Sequence, residues 1–202
     1  ARFGAAIGAR VTVVELDPGA APGVARLVVD AHGIADDLPA GGPKRPSPQS
    51  TSADDFVFFS SCMGALFAPA ERSCGGGAGA SFTRLVEKAG LRARVPEGLS
   101  KLCCGTVWVS KGFTDGADEM ARRVYDSLWE ASEHGRLPVV CDAASCTHGL
   151  EETGNHLKGV EAENWAKVTV YDATTYVARF VLDRIQPRSK AGSIVIHPSC
   201  SM

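Results

Sequence analysis

Asp54-Asp55-Phe56-Val57-Phe58-Phe59-Ser60-Ser61-Cys62 sets an acidic pair before four consecutive apolar residues, then two serines and a cysteine. A short, continuous run of aromatic and β-branched residues is the pattern of a strand covered on both faces, as strands of parallel sheets are. The same plan recurs where Val139-Val140 leads to Ser145-Cys146 and where Ile194-Val195-Ile196 leads to Ser199-Cys200. Helical periodicity fills the intervals, and strands alternating with helices signify βαβ units. The sequence therefore predicts an α/β fold, a mainly parallel sheet flanked by helices in Rossmann-like layers, with cysteines at the carboxyl ends of strands.

The predicted strands are Asp55 to Ser60, Arg92 to Val95, Pro138 to Cys141, Lys167 to Tyr171 and Ser193 to His197. Ser81 is positioned to cap a helix carrying Phe82, Leu85, Val86 and Ala89 on one face, closed by Gly90. Thr114 or Asp115 opens a longer helix with Ala117, Met120, Ala121, Val124, Leu128 and Ala131 in one stripe, ending at Gly135. A last helix starts near Asp172 and buries Tyr176, Val177, Phe180, Val181 and Ile185. Residues 1–53 have no sustained period and include Pro39, Pro43, Pro46 and Pro48, so they read as a linker or the remnant of an upstream domain. Weak patterns at Val11 to Leu16 and Val24 to Val29 suggest at most short elements.

With 202 residues, 45% of them hydrophobic, the chain can bury one good core. A net charge of -2 provides no basic field for a nucleic acid backbone, and no apolar stretch is long enough to span a bilayer. Seven cysteines in a chain with an ample core suit thiolates held by metal in a reducing cytoplasm better than a disulfide scaffold. The absence of a start methionine or signal sequence, and an end just past a strand-like run, suggest a piece of a longer protein.

Chemistry concentrates in the thiols. Cys62 and Cys146 follow strand ends, and Cys103-Cys104-Gly105 is a vicinal pair that needs a turn to serve one site, because adjacent strand side chains face opposite ways. Gly105 supplies that turn. Ligands of open parallel sheets gather where the carboxyl-end loops converge, and several thiolates there suit a soft metal or an iron-sulfur cluster. Cys141 reads as a buried core residue and Cys74, beside Gly75-Gly76-Gly77, as an incidental thiol in a flexible loop. His134 suits a helix C-terminus. His148 and His197 are near enough to cysteines to hydrogen-bond to sulfur or supply a ligand, and Trp108 and Lys111 either pack beside the site or face a carrier.

The order Cys62, Cys103-Cys104-Gly105, Cys146, with Leu102 before the pair, Trp108-Val109-Ser110-Lys111-Gly112 after it and Val140-Cys141-Asp142-Ala143-Ala144-Ser145-Cys146-Thr147 further on, resembles the cysteine-rich CCG module. That module occurs in heterodisulfide reductases, iron-sulfur subunits of glycolate and lactate oxidation systems, and FAD-linked D-lactate dehydrogenases. The resemblance covers roughly Asp54 to Met202 and implies a first module at 54–192, with His197-Pro198-Ser199-Cys200 opening a truncated second module at 193–202. It implies metal ligation by Cys62, Cys103, Cys104 and Cys146, with Gly105 shaping the cofactor site. Ala143 stands where some relatives have the first cysteine of a Cys-x-x-Cys pair, which argues against a noncubane cluster and leaves an ordinary four-thiolate 4Fe-4S site.

The implied function is electron transfer from a flavin to an external acceptor such as a quinone or cytochrome, within a FAD-linked D-2-hydroxyacid dehydrogenase, D-lactate being the favoured substrate. FAD and a ferredoxin-like domain would reside upstream, because the present sequence has neither, and the piece alone would not turn over substrate. The implied location is the cytoplasm, with peripheral placement at the inner membrane face as a variant. As an alternative, four thiolates in a tetrahedral site also suit zinc, giving a structural or interaction module without redox activity. Thiol-disulfide chemistry at Cys103-Cys104 is a third reading.

Overall fold

The computed structural model of the protein describes residues 41–69, 76–186 and 193. Contacts divide the chain between Gly41 and Gly42, and the following concerns the unit that begins at Gly42. Its elements are β1 (Phe56–Phe59), α1 (Met63–Leu66), α2 (Ala78–Lys88), β2 (Ala93–Arg94), α3 (Thr106–Ser110), α4 (Thr114–Ala131), β3 (Val139–Cys141), α5 (Ala144–Glu151), α6 (Val160–Trp165), β4 (Val170–Asp172) and α7 (Ala173–Tyr176), with short 3-10 turns between some of them.

The strands form one sheet in the order β2-β1-β3-β4, every pairing parallel. This is the α/β architecture expected from the sequence. All four residues of β1 are buried, and alternation divides them between two cores. Phe56 and Phe58 meet Phe82 and Val86 of α2, together with Val140, Tyr176 and Val181. Val57 and Phe59 meet Val124 and Leu128 of α4, with Val139, Cys141 and Leu150. Rings tighten the first core, Phe56 lying 4.8 Å from Tyr176 and Phe58 5.3 Å from Phe82 between centroids.

The two long helices follow their apolar stripes. In α4 the buried set is Ala117, Ala121, Val124, Tyr125 and Leu128, while Met120 lies at the edge of the stripe. Helix α2 starts at Ala78 with Gly77 as its N-cap, one turn before the expected Ser81. His134 lies beyond the end of α4 in a left-handed conformation, φ 60°, rather than in its last turn. Strand β4 is shifted towards Asp172 because its pairing with β3 starts at Val139 opposite Val170. Asp172 then caps α7, accepting from the Thr175 N–H at 2.9 Å. Past α7 a π turn over Val177–Val181 spaces the buried Tyr176 and Val181 five residues apart on one face, leaving Phe180 exposed. The expected strand at Ser193 to His197, and Cys74, His197 and Cys200, lie outside the described residues, apart from Ser193 itself.

The segment before Asp54 packs on the sheet. Gln49 forms an antiparallel bridge with Val95, each N–H bonded to the other's carbonyl at 3.1 and 2.8 Å. Residues 42–53 therefore belong with the α/β unit, ahead of the boundary at residue 54 that composition suggested.

Candidate thiol centre

With β1 flanked by β2 on one side and β3 on the other, the chain reverses its direction of travel across the sheet between β1 and β3. Ligands of open α/β sheets collect in the crevice beyond the carboxyl ends at such a point. Cys62 lies three residues beyond β1 as the N-cap of α1. Cys141 is the last residue of β3, and Cys146 is in the first turn of α5. The 3-10 turn at Leu99–Lys101, which follows β2, delivers Cys103 and Cys104 ahead of α3.

These sulfurs meet. The Cys146 side chain is within hydrogen-bonding reach of those of Cys62, Cys104 and Cys141, and Cys104 is within reach of Cys103. All five cysteines are free thiols. The structure thus gathers the four cysteines singled out in the sequence and adds Cys141, which is fully buried, as expected of a core residue, but also touches Cys146.

Two glycines make the convergence possible. Gly105 has φ 91°, a left-handed conformation that a side chain would strain, and it turns the backbone directly after the vicinal pair. A Cβ on Gly149 would lie 2.4 Å from Thr106 Oγ1 and 2.6 Å from the Cys104 carbonyl oxygen, so Gly149 lets α5 bring Cys146 against the Cys104 turn. Thr106 Oγ1 donates to the Ser145 carbonyl at 3.0 Å and lies 3.4 Å from Cys104 Sγ, joining the same two loops. On the β1 side, the Ser61 N–H donates to Asp142 Oδ1 at 2.6 Å.

Thiols this close share protons. The hydrogen bond with Cys146 lowers Cys62 to about 6, helped by the nearby positive charge of Arg45 and opposed by burial. Cys104 is lowered by hydrogen bonds from Cys103, Cys146 and Thr106. Cys103 and Cys146 are raised, Cys103 by its bond with Cys104 and by burial, Cys146 by its bonds with Cys104, Cys141 and Cys62. The backbone N–H of Gly105 faces the Cys103 sulfur and that of Thr106 the Cys104 sulfur, as N–H groups do around cluster sulfurs.

The donor set is all sulfur, which suits a thiophilic ion or an iron-sulfur cluster. Among the described residues, no group of three His, Cys, Asp or Glu side chains stands in ready metal-binding geometry.

The other candidates fall around this centre. His148 is largely exposed and 4.0 Å from Glu151. With His156, Cys103 and Cys104 it lines a cavity of about 210 Å³ walled by Val109 and Val124. His156 Nδ1 is 2.8 Å from Asp118 Oδ1. Trp108 packs against Phe113 and over Gly116, and Lys111 is exposed at the end of α3. Arg45, unmarked by any sequence pattern, places its guanidinium among the cysteine-bearing loops. No helix among the described residues is long and apolar enough to cross a membrane.

Compared with family models, curated proteins and solved structures, the chain matches none.

Proposed function

We propose that this unit is an iron-sulfur electron-transfer module, and that the CCG-like motifs mark it as the cysteine-rich part of a FAD-linked D-2-hydroxyacid dehydrogenase, D-lactate being the favoured substrate. The observation that supports it is the meeting of Cys62, Cys103, Cys104 and Cys146 at the carboxyl edge of the sheet, between β1 and β3. Four thiolates would hold a 4Fe-4S cluster that accepts and releases single electrons. The chain's own part is to supply the thiolates, to direct the N–H groups of Gly105 and Thr106 at them, and to keep the centre against a packed core. The flavin that feeds it belongs upstream, and the acceptor is a quinone or a cytochrome in this reading.

The same all-thiol donor set also favours a structural zinc site, because tetrahedral zinc held by four cysteines needs the same ligands. Anaerobic isolation followed by visible absorption, iron and zinc analysis separates the readings. A brown protein that bleaches on reduction and contains iron supports the redox module. A colourless protein with one zinc per chain replaces it with the structural reading, and a metal-free protein with a titratable dithiol replaces both with thiol-disulfide chemistry.

A further inference from the structure

Arg45 lies in the proline-rich segment Pro43-Lys44-Arg45-Pro46, where sequence offers no reason to expect a site residue. Its guanidinium nevertheless reaches three main-chain carbonyls. Nη1 donates to Leu99 O at 2.5 Å and Leu102 O at 2.8 Å, and Nη2 donates to Ser60 O. Leu102 immediately precedes Cys103, and Ser60 is two residues before Cys62. One side chain thus ties the loop after β1 to the loop after β2, and each loop bears cysteines of the centre. The planar fork of arginine can serve several carbonyls at once, which a lysine ammonium on its flexible stem does less well.

The charge is placed as deliberately as the donors. The guanidinium stacks on Phe59, its carbon 5.1 Å from the ring centroid, and feels the fields of Cys62, Cys141, Asp142 and Cys146. Its Nε is buried without a hydrogen-bond partner among the described residues. Burying a cation is costly unless negative charge accompanies it. Carbonyls satisfy donors but carry no net charge, whereas thiolates would supply it.

We propose that Arg45 is the positioning and charge-balancing residue of the thiol centre, fixing the Cys62 and Cys103-Cys104 loops relative to each other and offsetting the negative charge of a loaded thiolate site. The proposal builds on the metal-centre reading. Its loop-tying part stands on the hydrogen bonds alone.

The test uses the full chain under anaerobic, reducing conditions with cobalt(II) as the probe, followed through its thiolate charge-transfer absorption, and compares Arg45→Met and Arg45→Lys with the parent. Arg45→Met should weaken cobalt(II) binding about 10–100-fold, the range for partners that orient metal ligands, and Arg45→Lys should recover a substantial part by restoring the charge. Hydrogen exchange of the Cys62, Cys103 and Cys104 amides in the metal-free chains is the second readout. In Arg45→Met these amides should exchange at least tenfold faster while those of α4 are unchanged. Parent-like cobalt(II) affinity in Arg45→Met, or no recovery in Arg45→Lys, would overturn the charge-balancing role. Unchanged exchange at the three cysteines would overturn the positioning role. Failure of the parent chain itself to bind cobalt(II) would defeat the metal-centre reading and with it the charge-balancing role, leaving exchange alone to decide whether Arg45 ties the loops.

Discussion

At the scale of single residues, the centre depends on hydrogen bonds among its thiols and on a backbone approach that leaves no room for a Cβ at Gly149. Cys62 is partly exposed and held at about 6 chiefly by its hydrogen bond with Cys146. In the metal-free chain it should therefore be mostly thiolate at pH 7, and its alkylation by iodoacetamide should rise with pH to a midpoint near 6. Cys146→Ala removes the main cause, so alkylation of Cys62 at pH 7 should slow by about two- to threefold, and its pH midpoint should move up, as its value returns towards that of a free thiol. A rate unchanged by that substitution would show that Cys146 does not set the Cys62 thiolate. Gly149→Ala tests the approach of α5 instead. Its new Cβ would meet the Cys104 carbonyl at 2.6 Å, and backbone has little room to yield. Denaturant unfolding should report a loss of about 1–3 kcal/mol, together with reduced metal uptake. A fully stable, metal-competent Gly149→Ala protein would contradict the close packing of the two loops.

At the scale of elements, charge fastens the sheet's edge to its longest helix. Arg94 of β2 pairs with Asp54 at 2.9 Å and with Glu133, just past α4, at 2.8 Å. The Asp54 side chain is only 1% exposed and that of Arg94 13%. Burial pushes Asp54 up, but hydrogen bonds from Thr51 and Arg94 outweigh it and hold the carboxyl below the usual carboxylate range. The folded value thus lies beneath the unfolded value of about 3.9. The stabilisation is complete above roughly pH 4 and is lost as the pH falls through the depressed folded value. Arg94→Met should cost about 3 kcal/mol at pH 7, and the difference from the parent should shrink as the pH falls through the depressed folded value of Asp54. A pH-independent difference would assign the cost to packing. Elements also show what sequence can convey. Phe56 to Phe59 and Val139 to Cys141 were legible because a buried parallel strand writes its burial as a continuous apolar run, and α2 and α4 because two or more turns accumulate a stripe. Helices α3 and α5 were missed because their one or two turns carry little period and are held by tertiary contacts at Thr106 and Gly149. The meeting of Cys62, Cys103, Cys104 and Cys146 could be anticipated from strand ends. Cys141 could not, because alternation says only that a side chain enters the core and not whose sulfur it meets there. Arg45 was illegible for another reason, since its hydrogen-bond partners are carbonyls, which every residue has.

At the scale of the whole molecule, the two cores on either side of β1 hold the framework and the thiol loops sit at its carboxyl edge. Stability and loading should therefore be linked. A ligand that binds only the folded chain adds about 4 kcal/mol at a thousandfold excess over its Kd, which raises the thermal midpoint of a domain this size by about 10 °C. Zinc under reducing conditions should produce that rise, a chelator should reverse it, and the Cys62→Ser, Cys146→Ser double variant should show neither. An equal rise in the double variant would place the zinc elsewhere. The redox reading asks for more than a soft ion, because it requires iron and sulfide held together by the four cysteines. Anaerobic reconstitution followed by iron and acid-labile sulfide analysis tests it most directly. The account predicts about four irons and four sulfides per chain, falling sharply when Cys62, Cys103, Cys104 and Cys146 are all changed to serine. A parent chain that retains no more iron and sulfide than that variant would contradict it.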